Sequence, residues 1–92
     1  MPDLIRHDPD AMRFTLEMGG AEAYLQYGEL ESGALDFRVV FVPPELRGAG
    51  VAARLVAHGL AYARERQRDI VASCGYVRDY LGRESGVAAL RG

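Results

Sequence analysis

The chain has 92 residues, which suits one compact domain spanning residues 1–92 with a modest core. A hydrophobic content of 49% with 26% charged residues is typical of soluble globular proteins, and the net charge of −2 argues against nucleic acid as the main partner. The single cysteine excludes an internal disulfide bond.

The N-terminal stretch is not predicted to be a signal peptide. Residues 1–12 carry charges of both signs and lack the apolar centre of a signal peptide. No apolar run approaches the length that crosses a membrane. We therefore predict a cytoplasmic protein without a membrane partner. Residues 1–10 are predicted to lack regular structure, with His7 as a solvated loop side chain.

Two alternating stretches predict a β-hairpin. Residues 12–18 alternate apolar with polar side chains, which is the period of a strand with one buried face. The apolar members are Met12, Phe14, Leu16 and Met18. Gly19-Gly20 predicts a tight turn, and residues 21–30 predict the returning strand. The buried face of that strand is predicted to consist of Ala23, Leu25 and Tyr27.

A third strand is predicted after a turn at Glu31-Ser32-Gly33, with Leu35, Phe37 and Val39 on one face, and it continues to Val42. Pro43-Pro44 ends this strand because proline donates no ladder hydrogen bond. Gly48 and Gly50 then allow a tight loop before the next element. The three strands predict an antiparallel meander.

A helix follows the loop, because its apolar residues recur at the helical spacing. They are Ala52, Leu55, Val56, Gly59, Leu60 and Ala63. His58 lies on the outward face and is predicted to be solvated. Residues 69–73 predict a strand parallel to the third one, which completes a β-α-β unit. A short helix over residues 76–81 is closed off by Gly82 and Gly86. The fold is predicted to be α+β.

The loop sequence Arg47-x-x-Gly50-x-Ala52 resembles the acyl-CoA signature of the GNAT N-acetyltransferase superfamily. The arrangement of a strand before it and a helix after it is also similar to that family. Cys74-Gly75-Tyr76 resembles the Cys-Pro-Tyr-like motif of the compact, single-domain, YjdJ-type branch, apart from the missing proline. The resemblance implies a GNAT-like fold and acetyl-CoA as co-substrate.

By this resemblance, the loop holds the coenzyme pyrophosphate through its backbone amides, at the positive end of the helix dipole. The implied coenzyme-binding residues are Val42, Arg47, Gly48, Ala49, Gly50, Val51 and Ala52. The alternative is a glycine loop that only joins strand to helix. Arg54 is predicted to be a solvated helix-face side chain, and its alternative role is a contact with the 3′-phosphate.

The resemblance also implies three catalytic residues. Cys74 would lie near the thioester and either accept the acyl group as a nucleophile or only line the pocket. Tyr76 or Tyr80 would protonate the leaving CoA thiolate; the alternative for both is core packing. Transfer to an amine needs a base. The carboxylates near the cleft are Glu29, Glu31, Asp36 and Glu45, and no spacing selects one of them.

Three functions remain open at this point. The first is an N-acetyltransferase that moves an acetyl group from acetyl-CoA to an amine of a small molecule or a protein. The second is a non-catalytic CoA-binding or interaction module, and the third is a structural domain without coenzyme. One cysteine and two distant histidines predict no metal site. The short chain leaves the acceptor site to be completed by a homodimer or to stay an open cleft.

Overall fold

The computed structural model describes residues 5–85, which form a five-stranded sheet with two α-helices. The strands are β1 (Ile5–Asp8), β2 (Arg13–Met18), β3 (Ala21–Glu29), β4 (Leu35–Phe41) and β5 (Ile70–Ala72). The helices are α1 (Val51–Glu65) and α2 (Gly75–Ser85), and a short 3₁₀ helix spans Pro44–Leu46. This architecture confirms the predicted α+β, GNAT-like fold. Neither α-helix is both long and apolar enough to cross a membrane.

The strands follow the chain order across the sheet, and each of the first four is antiparallel to its neighbour. β5 pairs with β4 in parallel, through Leu35↔Ile70, Asp36↔Val71 and Phe37↔Ala72. The predicted meander and the parallel return after α1 are therefore confirmed. Gly19 and Gly20 have φ of 55° and 83° and form the predicted turn between β2 and β3.

One face of the sheet packs against α1 and forms the core. The sheet contributes fully buried side chains from three strands, among them Phe14, Leu25 and Phe37. The helix contributes Val51, Leu55, Val56, Gly59, Leu60 and Ala63, which is the predicted apolar face with Val51 in place of Ala52. Ala52 is only half-buried. Val77 of α2 is also fully buried in this cluster. The apolar face of α1, with its 3.6-residue period, and the apolar faces of the strands, with their two-residue period, therefore pack against each other in a single core.

The N-terminal segment differs from the prediction. Residues 5–8 form β1, which pairs with β2 from Ile5↔Leu16 to Asp8↔Arg13. The prediction of a solvated His7 was wrong, because its ring stacks on Phe14 at 4.1 Å between centroids and 11° between planes. Four residues cannot show a strand period by themselves; their partners on β2 and β3 fix the conformation.

A β-bulge changes the faces of β4. Gln26 pairs with Val39 but Tyr27 pairs with Phe37, so Arg38 is the extra residue. Val39 is 45% exposed, and the prediction that it shares a face with Leu35 and Phe37 was wrong. Val40 is half-buried instead. Met18 is also exposed, contrary to prediction, because it lies at the turn end of β2.

The last helix is longer than predicted. It begins at Gly75 and continues through Gly82 to Ser85, so Gly82 does not end it. Gly82 lies in open space, where the cost of glycine in a helix is only about 1 kcal/mol. Gly86, the second predicted terminator, lies outside the described residues.

Candidate coenzyme and catalytic site

The loop between β4 and α1 presents backbone amides at the start of a helix. Gly50 occupies the N-cap position of α1 with φ 73° and ψ 19°, and Gly48 has φ 85°. Both conformations are left-handed and favour glycine. The Arg54 amide donates to the Gly50 carbonyl oxygen at 3.2 Å. The amides before Arg54 belong to the first turn, whose donors have no partner inside the helix.

A cavity of about 230 Å³ lies beside this loop. Its lining includes six of the seven predicted coenzyme-binding residues, namely Val42, Arg47, Gly48, Gly50, Val51 and Ala52. Leu46, Ala53 and Tyr76 complete the lining. Ala49 is not part of the wall, and its carbonyl oxygen accepts a hydrogen bond from the Arg54 guanidinium at 3.1 Å. The fold therefore joins the loop to a tyrosine of α2 that is distant in sequence.

One arginine lies on the loop, Arg47, and a second lies in the first turn of α1, Arg54. Arg47 Nε donates to the Val42 carbonyl oxygen at 2.9 Å, which folds the side chain back along the end of β4. Arg54 contacts the loop at Ala49, so it is only partly exposed rather than fully solvated. The two guanidinium groups and the helix N-terminus each add positive charge beside the loop.

A cleft opens where β4 and β5 part. Their pairing ends at Phe37↔Ala72, and β4 continues to Phe41 with no strand beside this edge among the described residues. Cys74 lies at the point of divergence, where its amide donates to the Phe37 carbonyl oxygen at 3.0 Å. The Cys74 carbonyl oxygen accepts a hydrogen bond from the Arg78 amide at 3.1 Å, at the start of α2.

The three predicted catalytic residues have different environments. Cys74 is a free, half-buried cysteine that packs against the core but does not line the cavity. Tyr76, two residues later, reaches the cavity wall. Tyr80 is half-buried and packs against the core cluster. Of these three residues, only Tyr76 reaches the cavity beside the glycine loop.

The four predicted base candidates differ in exposure and in their partners. Glu29 forms an ion pair with Arg68, and Glu31 and Glu45 are exposed. Asp36 is only 8% exposed, which the sequence pattern gave no means of predicting. Burial by itself raises the pKa of Asp36, but hydrogen bonds from Ser73 and Arg38 outweigh burial and hold that pKa below its ordinary value.

The described residues contain no group of three or more His, Cys, Asp or Glu side chains that could hold a metal ion.

A second group of polar side chains lies at the other end of α1. His7 Nε2 and the Tyr27 hydroxyl are 2.6 Å apart, and Tyr62 meets the His7 ring edge-on at 4.4 Å. Burial, followed by the charges of His58 and Arg66, lowers the pKa of His7. Burial and Tyr62 raise the pKa of Tyr27 to about 12. The sequence gave no signal of this group, since its members are distant along the chain.

Comparison with protein-family models gives a match. The model of a family described as GCN5-related N-acetyl-transferase matches residues 13–90, which include the loop, α1, Cys74 and the start of α2. A search of curated proteins finds no match.

Proposed function

The chain belongs to the GCN5-related N-acetyltransferase family, and on this premise we propose that it binds acetyl-CoA and transfers the acetyl group to an amine. The observation that carries the proposal is the cavity shared by the glycine loop and Tyr76. It joins an anion-binding helix terminus to the segment that holds Cys74. A cytoplasmic site of action is part of the same proposal.

The loop suits the pyrophosphate of the coenzyme. A Cβ built on Gly48 or Gly50 would have no atom within 4 Å, so the approach to the backbone is open. Phosphate oxygens accept hydrogen bonds from such first-turn amides and are attracted by the helix dipole. Arg47 on the loop and Arg54 in the first turn of α1 add positive charge there. At about 230 Å³, the cavity is smaller than the roughly 300–1,000 Å³ of whole-ligand pockets, so it would hold one part of the coenzyme.

The open edge of β4 suits the rest of the coenzyme. Beyond Phe37 this strand has no β5 partner, so its backbone groups face the cleft between β4 and α2. In the proposal, the pantetheine arm leaves the loop, passes Tyr76 and brings the thioester to Cys74. The thioester thereby ends where β4 and β5 separate.

Cys74 is the proposed acyl acceptor. Its thiolate attacks the thioester carbonyl carbon, a new sulfur–carbon bond forms, and the bond to the CoA sulfur breaks. Tyr76 gives its hydroxyl proton to the leaving CoA thiolate. An amine then attacks the acetyl-cysteine, and the amide forms as the cysteine sulfur leaves. The proton lost by the amine returns to the tyrosinate.

The acceptor would approach from the open side of the cleft. Val39 and Phe41 are 45% and 41% exposed on the part of β4 that β5 does not cover. The amine in this proposal is carried by a small molecule or by a protein side chain. In the proposal the cleft either stays open for a protein acceptor or gains a wall from a second copy of the chain.

One observation favours a non-catalytic CoA-binding or interaction module as the second candidate. Asp36, the base candidate that is bonded to the residue before Cys74, already accepts hydrogen bonds from Ser73 and Arg38. It is therefore not free to take a proton from an amine. A module of this kind would bind the coenzyme without accepting its acetyl group.

Intact-protein mass spectrometry after incubation with acetyl-CoA separates the two candidates. The acetyltransferase is expected to gain one acetyl group in the wild type and none in Cys74→Ala, and an added amine is expected to remove it. Coenzyme binding without acetylation, together with no amine acetylation in solution, would support the non-catalytic module instead.

A further inference from the structure

Asp36 is the one charged side chain that is buried within the described part of the chain. It lies on β4 between Leu35 and Phe37, which both point into the core, so its side chain is on the opposite face of the sheet. Across the strand pair it lies beside Val71 of β5. A buried carboxylate is costly unless it is paired, so its partners are informative.

The two carboxylate oxygens hold two different parts of the fold. Oδ1 accepts a hydrogen bond from the Ser73 backbone amide at 3.2 Å. Oδ2 accepts one from Arg38 Nε at 3.2 Å. Arg38 is the bulged residue of β4, and Ser73 immediately precedes Cys74. One side chain therefore links the bulge to the segment that leaves β5.

The main chain adds a parallel link one residue further on. The Phe37 carbonyl oxygen accepts the Cys74 amide hydrogen at 3.0 Å. Two consecutive residues of β4 thus hold the amides of two consecutive residues after β5. Arg78 holds the same segment from α2, because its guanidinium donates to the Ala72 carbonyl oxygen at 3.3 Å.

We propose that Asp36 is a positioning residue for Cys74, which sets how far the cysteine lies from β4 where the two strands part. The inference rests on the proposed function, in which the thioester ends at Cys74. Asp36 touches neither coenzyme nor acceptor. It fixes the Ser73–Cys74 peptide against the bulge at Arg38. The pantetheine arm of the coenzyme then lies in the gap between β4 and Cys74.

The two hydrogen bonds that Asp36 accepts, from Ser73 and from Arg38, require a carboxylate. The side-chain amide of asparagine matches aspartate in shape, but it has one oxygen, so it cannot accept from both Ser73 and Arg38 through oxygen atoms. Its NH₂ group would face either the Ser73 amide or Arg38 Nε, and two donors cannot form a hydrogen bond with each other. Asp36→Asn therefore breaks one link while it keeps the volume of the site. The lowered pKa of Asp36 has the same origin, since both links favour the charged form.

The test compares the wild type, Asp36→Asn and a matched control, Glu22→Gln. Glu22 is an exposed carboxylate that also pairs with an arginine, Arg6, at 3.6 Å. Acetyl-CoA affinity, the acetyl-transfer rate and iodoacetamide alkylation of Cys74 with and without saturating CoA are measured for each protein. Alkylation in the presence of CoA reports whether the sulfur still lies against the thioester end of the coenzyme.

We expect Asp36→Asn to keep its acetyl-CoA affinity while acetyl transfer falls by about a hundredfold, the loss that a misplacement of about 1 Å can cause. CoA should protect Cys74 from alkylation in the wild type and in Glu22→Gln, and this protection should be lost in Asp36→Asn. A folded Asp36→Asn protein with wild-type transfer and wild-type protection would overturn the proposal.

A second variant covers the case in which Asp36→Asn does not fold. Arg38→Gln releases Oδ2 at an exposed position and leaves the buried carboxylate in place. It should weaken the protection by CoA in the same direction and to a smaller extent; unchanged protection would overturn the proposal. If the wild type binds no CoA at all, the proposed function fails, which affinity alone reveals.

Discussion

Gly59 of α1 lies directly against the ring of Phe37 of β4. A Cβ built on Gly59 would be 3.2 Å from Phe37 Cζ and 2.7 Å from Leu25 Cδ2. The absence of a side chain at this position lets the helix approach the sheet closely. Because α1 begins at the glycine loop, this contact also fixes where the helix N-terminus lies relative to β4.

Gly59→Ala is expected to destabilise the protein. Alanine favours a helix by about 1 kcal/mol over glycine, but forcing a methyl group into a packed core costs about 1–3 kcal/mol. Gly82→Ala in α2 is the matched control, since a Cβ there meets no atom within 4 Å. Urea unfolding should show a loss for Gly59→Ala and a gain for Gly82→Ala. A gain for both would contradict the close packing.

Cys74→Ala and Tyr76→Phe are expected to separate binding from chemistry. Both variants should keep acetyl-CoA binding, because the loop amides that are proposed to hold the coenzyme are unchanged. Cys74→Ala should abolish the acetyl-enzyme, and Tyr76→Phe should slow transfer by about 10²–10⁴-fold if it acts as a general acid. Steady-state assays with a panel of amines measure this. Transfer at the wild-type rate in Cys74→Ala would show direct attack of the amine on acetyl-CoA.

His7 is expected to make stability fall in mild acid. Its pKa in the folded state lies below 6.5, the ordinary value, so below pH 6.5 the unfolded chain binds more protons than the folded one. The contribution of His7 to the free energy of unfolding should therefore be fully present above pH 6.5. It should decrease as pH falls from 6.5 through the folded-state pKa, by up to about 1.4 kcal/mol per pH unit.

His7→Gln removes the titrating group and tests this dependence. The stability difference between wild type and variant, measured by urea unfolding above and below pH 6.5, should shrink in acid because only the wild type loses stability there. A difference that stays constant across this range would show that the pKa of His7 is the same in both states.

Much of the fold was predictable because local periodicity and tertiary packing agree. The alternation in β2 and β3 and the apolar face of α1 each indicate an element and its buried side. The loop at Gly50 was predictable for a different local reason, because a left-handed backbone conformation favours glycine. The features that sequence could not predict depend on distant partners.

The bulge at Arg38 is an example, because it arises from the pairing of β4 with β3 and reverses the faces of Val39 and Val40. Asp36 is another, since its burial depends on Ser73, 37 residues away. The strand at His7 likewise depends on Phe14 and Tyr27. For Asp36 and His7 the residue type alone favours a solvated position.

A thermal-shift titration with acetyl-CoA tests the central proposal most directly, on the wild type, Gly50→Glu and Gly33→Glu. Gly33 has φ 93° and open space around it, so glutamate there carries the same backbone strain at the opposite end of β4. Ligand at about a hundred times its dissociation constant adds roughly 2.7 kcal/mol of stability. We predict a clear rise in Tm for the wild type and Gly33→Glu and none for Gly50→Glu. No rise in the wild type, or an equal rise in Gly50→Glu, would contradict a coenzyme site at the glycine loop.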